Sequence, residues 1–298
     1  MANGTLLGFC GVCDAAWSVF DGTRKKLAQR LPTYTTLTLL MVLQVVAFAA
    51  LWVWQGAPVP QQSWEYWIPA SMSLVVNLMG NTLFLRSVSM APLSLSVPML
   101  SLTPAVAALC SQWWFGETLQ LRQWGGIGLV MVGMAWLAFP PKDKEGSAQE
   151  VTPAVLKGLG LMALCALCFA ITPVVDKASV AVASPLFHSV FLCGSLAVVF
   201  GMLALKTDCS PSTKADLSAA IFQSWGWLMT ASATAIVALY LQLVVTQHMN
   251  VGLFEAIKRV LCLVGALALG RWWFNEAITA HKLQVVAVLG AGMALVLL

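Results

Sequence analysis

The chain has 298 residues, of which 59% are hydrophobic and 9% charged, and its formal net charge is +4. Soluble domains carry about 25% charged residues, so water is excluded as the main solvent of this chain. The 16 basic residues fall mostly in short connections between apolar runs, which leaves no basic groove and excludes a nucleic-acid partner.

Apolar runs of roughly 20 residues, the length a helix needs to cross the hydrocarbon core, recur along the whole sequence. The first is predicted near 3–20; no basic segment precedes it and it holds Asp14, so it reads as a mature helix and not as a signal peptide. At about 1.5 Å per residue, Asp14 falls near mid-membrane. The second run covers 34–54 and the third 66–87, where Asn77 and Asn81, four apart, form a polar stripe. The fourth, 93–114, carries Ser94, Pro98 and Ser101 on one face by helical spacing. Pro98 and Pro104 each remove a backbone donor and free an upstream carbonyl, so this helix is expected to kink and offer polar backbone to a cavity. A fifth run, 121–139, precedes the longest polar connection, and further runs follow near 155–174, 184–205, 225–246, 251–273 and 280–298. The alternating ten-residue pattern of a membrane barrel is absent. The expected fold class is an all-α polytopic membrane protein of about ten transmembrane helices.

The second set repeats the first. Trp113-Trp114-Phe115-Gly116-Glu117 returns 159 positions later as Trp272-Trp273-Phe274-Asn275-Glu276, and the same shift lays Gly133-Met134-Ala135 on Gly292-Met293-Ala294. Phe20-Asp21 matches Val175-Asp176 at a shift of 155. Residues 1–139 form a first five-helix repeat, 140–153 a linker and 154–298 a second repeat. Five spans per half is an odd number, so the copies are expected to cross the bilayer in opposite senses. The basic residues favour a topology with both termini outside. Trp52, Trp54, Trp64, Trp67, Trp225 and Trp227 fall at span ends and read as interfacial anchors. Cys10-x-x-Cys13 recurs as Cys165-x-x-Cys168 inside spans, without the further ligands zinc requires, and reads as small packing residues; no metal or cofactor is expected.

Charge inside a span is expensive and marks a site by default. The ninth span opens Phe254-Glu255-Ala256-Ile257-Lys258-Arg259, with Glu255 three and four residues before the two cations, the spacing of an internal ion pair. One carboxylate neutralises one cation, so a net positive charge remains at depth and favours an anionic or zwitterionic substrate. The first repeat has Ser96, Met99 and Leu100 at these positions. The fold is shared by both copies, whereas this asymmetry points to specificity. The expected substrate site comprises Lys258, Arg259, Glu255, Asn77, Asn81, Ser94 and Ser101, together with Tyr240, the repeat-mate of Asn81; Asp14 is the proton-coupling candidate.

Two five-helix repeats, each with a fourth helix ending in Phe-Gly-Glu or Phe-Asn-Glu (Phe115-Gly116-Glu117 and Phe274-Asn275-Glu276) and a fifth helix with spaced glycines (Gly126, Gly133, Gly292), resemble the EamA-like branch of the drug/metabolite transporter superfamily. The resemblance implies a ten-helix carrier in a plasma membrane, the inner membrane of a bacterium, working by alternating access as a monomer or homodimer. It implies export of a small metabolite, with Glu117 and Glu276 as helix-end, loop-fixing groups. Lys258-Arg259 is also similar to a Lys-Arg pair that holds phosphate in the ninth helix of triose-phosphate translocators. Their additional basic residue in the fourth helix is missing here, which favours a carboxylate substrate.

Rival readings are proton-coupled efflux of cationic or lipophilic drugs, an intramembrane enzyme, and a receptor subunit that moves nothing. His188, His248 and His281 form no His-Glu-x-x-His, and neither a Gly-x-Ser-x-Gly elbow nor a phosphate-binding loop is present. Each histidine reads as a polar group near a span end.

Overall fold

The computed structural model describes residues 3–56, 59, 64–91, 97–138, 152–208, 214–274 and 280–297. Among these all regular structure is helical and no strand occurs: α1 (Asn3–Ala28), α2 (Thr33–Trp54), α3 (Trp64–Met90), a 3-10 helix (Val97–Leu102), α4 (Thr103–Phe115), α5 (Leu121–Ala138), α6 (Pro153–Val180), α7 (Pro185–Thr207), α8 (Lys214–Gln223), α9 (Trp225–His248), α10 (Val251–Phe274) and α11 (Ala280–Leu297). Among the described residues, five stretches are long and apolar enough to cross a membrane: Thr33–Trp54, Trp64–Val88, Pro153–Val180, Pro185–Thr207 and Trp225–His248. A spanning helix satisfies its own backbone, which is why an apolar chain resolves into helices and nothing else.

Two expectations are corrected. The fourth run is not one helix: α4 begins only at Thr103, behind the 3-10 helix that contains Pro98. Proline supplies no N–H, so the α-ladder cannot run through this stretch, and Pro104 instead takes the first turn of α4, where its missing donor costs nothing. The added element is α8, ten residues of mixed polarity before α9. In addition, α1 and α6 run on to Ala28 and Val180, past the predicted span ends.

The chain packs as two compact units, Met1–Leu78 with Val175–His248, and Met79–Val174 with Met249–Leu298. Each unit draws on both halves of the sequence duplication.

In the first unit α2 lies antiparallel to its repeat-mate α7. Near the start of α2, Thr35 donates its backbone N–H and hydroxyl to Asp208 Oδ2 at 2.8 and 3.1 Å. Halfway along, the Cys193 thiol meets Gln44 Oε1 at 3.8 Å, and at the far end the rings of Trp52 and Phe187 stand 5.9 Å apart. Asp208 closes the C-terminus of α7 and caps the orphan donors of α2 at the same time. Helices α1 and α9 pack through Phe20, Leu27, Leu228, Ala231 and Ala235. The Cys13 thiol donates to the Ala238 carbonyl at 3.3 Å.

In the second unit a second repeat-mate pair, α5 and α11, forms a glycine seam. A Cβ at Gly126 would fall 2.7 Å from the Gly292 carbonyl and 2.8 Å from Val296; one at Gly133 would fall 2.9 Å from Leu289, and one at Gly292 2.9 Å from Val130. Partners rise along one helix as they fall along the other, so the pair is antiparallel. The contacts Gly133–Leu289 and Gly292–Val130 exchange under the 159-residue shift, as a local two-fold axis requires. A third close approach joins α10 to α4, where a Cβ on Gly252 would lie 2.4 Å from Ala108 Cβ. Small residues here bring backbones together, the usual way membrane helices associate. Cys165 does the same for α6, donating to the Gly80 carbonyl of α3 at 3.3 Å.

Candidate functional site

In the second unit, the first turns of α10 gather the three charges that their spacing predicts. Glu255 is fully buried; Lys258 Nζ reaches its Oε1 at 3.3 Å and Arg259 Nη2 its Oε2 at 3.1 Å. Each oxygen therefore takes a different cation. Lys258 also lies 5.7 Å from the centre of the Phe254 ring, whose face attracts a cation. The side chains of Lys258 and Arg259 are 13% and 12% exposed, while the acid is sealed. Accessible cations around a sealed acid are suited to an incoming negative group.

The remaining predicted residues divide between the units. Asn81 is buried on α3 in the second unit, where the turn before α4 contains Pro98 and Ser101; Ser94 lies outside the described residues. Thr103, at the start of α4, donates to the Leu100 carbonyl at 2.7 Å. At the other end of α4, Gly116 adopts a left-handed φ of 66° and Ser111 donates a short hydrogen bond to Glu117. Glu117 thus ties the loop back to its own helix; Glu276 lies outside the described residues. In the first unit Asp14 is fully buried on α1, four residues after Cys10, and its backbone carbonyl accepts from the Ser18 hydroxyl at 2.8 Å. Asn77 donates to the Ser73 carbonyl and hydroxyl at 3.0 and 3.2 Å, and Tyr240 is partly buried on α9.

The sequence reading missed the densest polar cluster in the first unit. His188 is fully buried, with Nε2 3.2 Å from Asp176 Oδ1 and Nδ1 3.4 Å from the Tyr66 hydroxyl. The Ser73 hydroxyl donates a short hydrogen bond to the same Asp176 Oδ1. Asn77, one of the predicted residues, ends this chain of contacts. His188 thus lies near a span end, as its position in the sequence suggests, but is buried among polar partners. The turn between α6 and α7 folds its side chain back onto an acid 12 residues earlier, and a buried acid close to a helix-opening histidine across a short turn is the sequence signal that could have found it.

Helices of this length, with buried charges held by partners, define an integral membrane protein of the polytopic α-helical class. Residues 4–139, a little under half of the chain, match the model of the EamA-like transporter family. The chain is similar to a probable 4-amino-4-deoxy-L-arabinose-phosphoundecaprenol flippase subunit ArnE of Yersinia pestis, 39% identical over 66 residues, which cover 21% of this chain and 58% of that relative. It is also similar to the protein of the same name from Proteus mirabilis, 29% identical over 73 residues, or 24% of this chain and 63% of the relative. The matches thus span little more than half the length of these relatives. A crystal structure of another protein superposes with a TM-score of 0.78 at 15% identity, covering 99% of this chain and 96% of that one. At such identity the likeness concerns the fold alone.

Proposed function

We propose that the protein is a secondary transporter that exports a small anionic or zwitterionic metabolite, such as an amino acid or organic acid, by alternating access. The observation that carries this reading is the Glu255–Lys258–Arg259 group, in which two accessible cations share one sealed carboxylate. A substrate carboxylate that joins these cations on entering and parts from them on leaving supplies the differential interaction that any ligand-linked conformational change needs. The antiparallel pairing of α2 with α7 and of α5 with α11 supports a carrier built from two inverted five-helix repeats. Asp14, buried on α1, is the acid we assign to proton coupling. The membrane is a plasma membrane, the inner one in a bacterium.

A second reading follows from the relatives, whose names specify a phosphoundecaprenol-linked amino sugar. The phosphate of such a lipid is also an anion and suits the same cations. Counterflow in proteoliposomes, run against labelled amino acids, organic acids, sugar phosphates and cationic drugs, and a separate assay with a polyprenyl-phosphate amino sugar, separate the two readings. Lys258→Gln and Arg259→Gln should each raise the apparent KM for the transported anion about tenfold or more, the effect of losing one charge-assisted contact. Unchanged KM in both variants, or transport of cations alone, would refute the anion site.

A further inference from the structure

Asp176 and Asp21 hold equivalent positions in the two repeats but have opposite surroundings. Asp21 is 46% exposed and paired with Arg24 at 2.6 Å, so its charge is both hydrated and matched. Asp176 is buried, and among the described residues the ionisable group paired with it is His188, whose charge depends on a proton.

The hydrogen-bond pattern fixes where that proton can go. Asp176 Oδ1 takes both donors, Ser73 and His188 Nε2, while Oδ2 is buried with no hydrogen-bond partner among the described residues. With Nε2–H donating to Asp176, Nδ1 accepts from the Tyr66 hydroxyl. A proton arriving at Nδ1 needs only rotation of that hydroxyl from donor to acceptor, because a phenol does either. A proton arriving at Oδ2 fills the orphan position directly. In both cases the buried pair passes from one net negative charge to zero, which removes an uncompensated charge from a medium where such charge is costly.

Groups that titrate or carry charge are few on the elements packed at this end of the unit. They are Glu65 and Tyr66 on α3, Lys177 on α6, Cys193 on α7 and His248 at the end of α9; α2 contributes neutral Gln44 and Trp52. Of these, Tyr66 and Cys193 lie within the field of Asp176. Rings of Trp52, Tyr66, Trp67, Phe187 and Phe191 pack edge-on or tilted against one another at 5.0 to 6.1 Å, forming an apolar wall beside the pair. His188 is the fourth residue of α7, about 4.5 Å along the axis from that helix's first residue, so the pair lies near a helix end yet is buried.

We propose that Asp176 and His188 form a proton-binding pair, distinct from Asp14, through which this carrier takes up and releases a proton during its cycle. Proton binding itself stands on the geometry above; its coupling to transport rests on the carrier reading.

Imidazole NMR of the full-length protein in detergent, with 15N-histidine, tests the first part, because the chain has only 3 histidines. The His188 ring signals are expected to change between about pH 5 and about pH 9, and Asp176→Asn should alter that pH response. Ser73→Ala leaves both titrating groups in place and should give a smaller alteration, so the proposal stays testable if Asp176→Asn does not fold. A His188 signal that stays neutral and unchanged from about pH 5 to about pH 9 in all three proteins would overturn the proposal and leave a static hydrogen bond. Proteoliposomes with a trapped pH-sensitive dye test the second part, using a labelled mixture of amino acids and dicarboxylates. Asp176→Asn and His188→Gln should retain solute exchange at equal pH and move fewer protons per solute than the wild type, the remainder being carried through Asp14. A proton-to-solute ratio equal to that of the wild type in both variants would overturn coupling through the pair. Absence of exchange in the wild type would overturn the carrier reading instead, with the titration deciding proton binding on its own.

Discussion

Each packing unit seals carboxylates away from water, and Glu255 in one unit and Asp176 in the other are held in different ways. Glu255 is matched on both oxygens by permanent cations, so its charge is locked in by its surroundings. Asp176 has both its donors on one oxygen, and those donors are a hydroxyl and an imidazole. The first arrangement fixes a charge; the second lets it vary. A buried carboxylate is thus not a function in itself, and the partners decide whether it serves architecture or switching.

Removing Glu255 is the strongest test of this contrast. Glu255→Gln leaves two cations beside a neutral amide and should lower stability by about 3–5 kcal/mol, the usual effect of breaking a buried ion group from one side. Thermal unfolding in detergent measures it, and a variant as stable as the wild type would show that the charges are not locked together. Ser73→Ala comes next. It takes one donor from Asp176 and should cost about 1.5–3 kcal/mol, the range for hydrogen bonds to charged groups, if the acid is ionised at the pH of measurement. Repeating the melt across pH sharpens the point, because the deficit should shrink where Asp176 holds a proton and stay flat where it does not. Tyr66→Phe is the mildest change: it deletes a long contact to a neutral imidazole and should cost about 0.5–1.5 kcal/mol. A larger loss would mean that Tyr66 anchors the pair instead of adjusting to it.

Much of the helical framework was legible because apolar length alone decides where a membrane helix forms. Nine of the ten predicted runs coincide with single helices, although α1 and α6 run beyond their predicted ends. The fourth failed where apolar length and backbone chemistry disagree: Pro98 and Pro104 sit in a run that is greasy enough to span but lacks the donors to stay α-helical. The α8 segment was invisible because ten residues of mixed polarity carry no membrane signal. Of the sites, Glu255, Lys258 and Arg259 could be read directly, since partners three and four residues apart on one helix meet by geometry. Asp176 and His188 meet only because α6 and α7 fold back on each other, and no periodicity within either helix announces it. The stripe on α3 was half legible: Asn77 was singled out, but its partner Ser73, one turn earlier, supplied the link to Asp176.

The α5–α11 seam is an isologous interface contained within one polypeptide. In a dimer of identical chains, one amino-acid replacement would strike such a surface twice, once on each side of the axis. Here Gly133 and Gly292 are encoded separately, so either can change while its mirror image stays as it was. Covalent fusion has thereby released the two sides from identity, and a replacement tolerated on one side need not be tolerable on both.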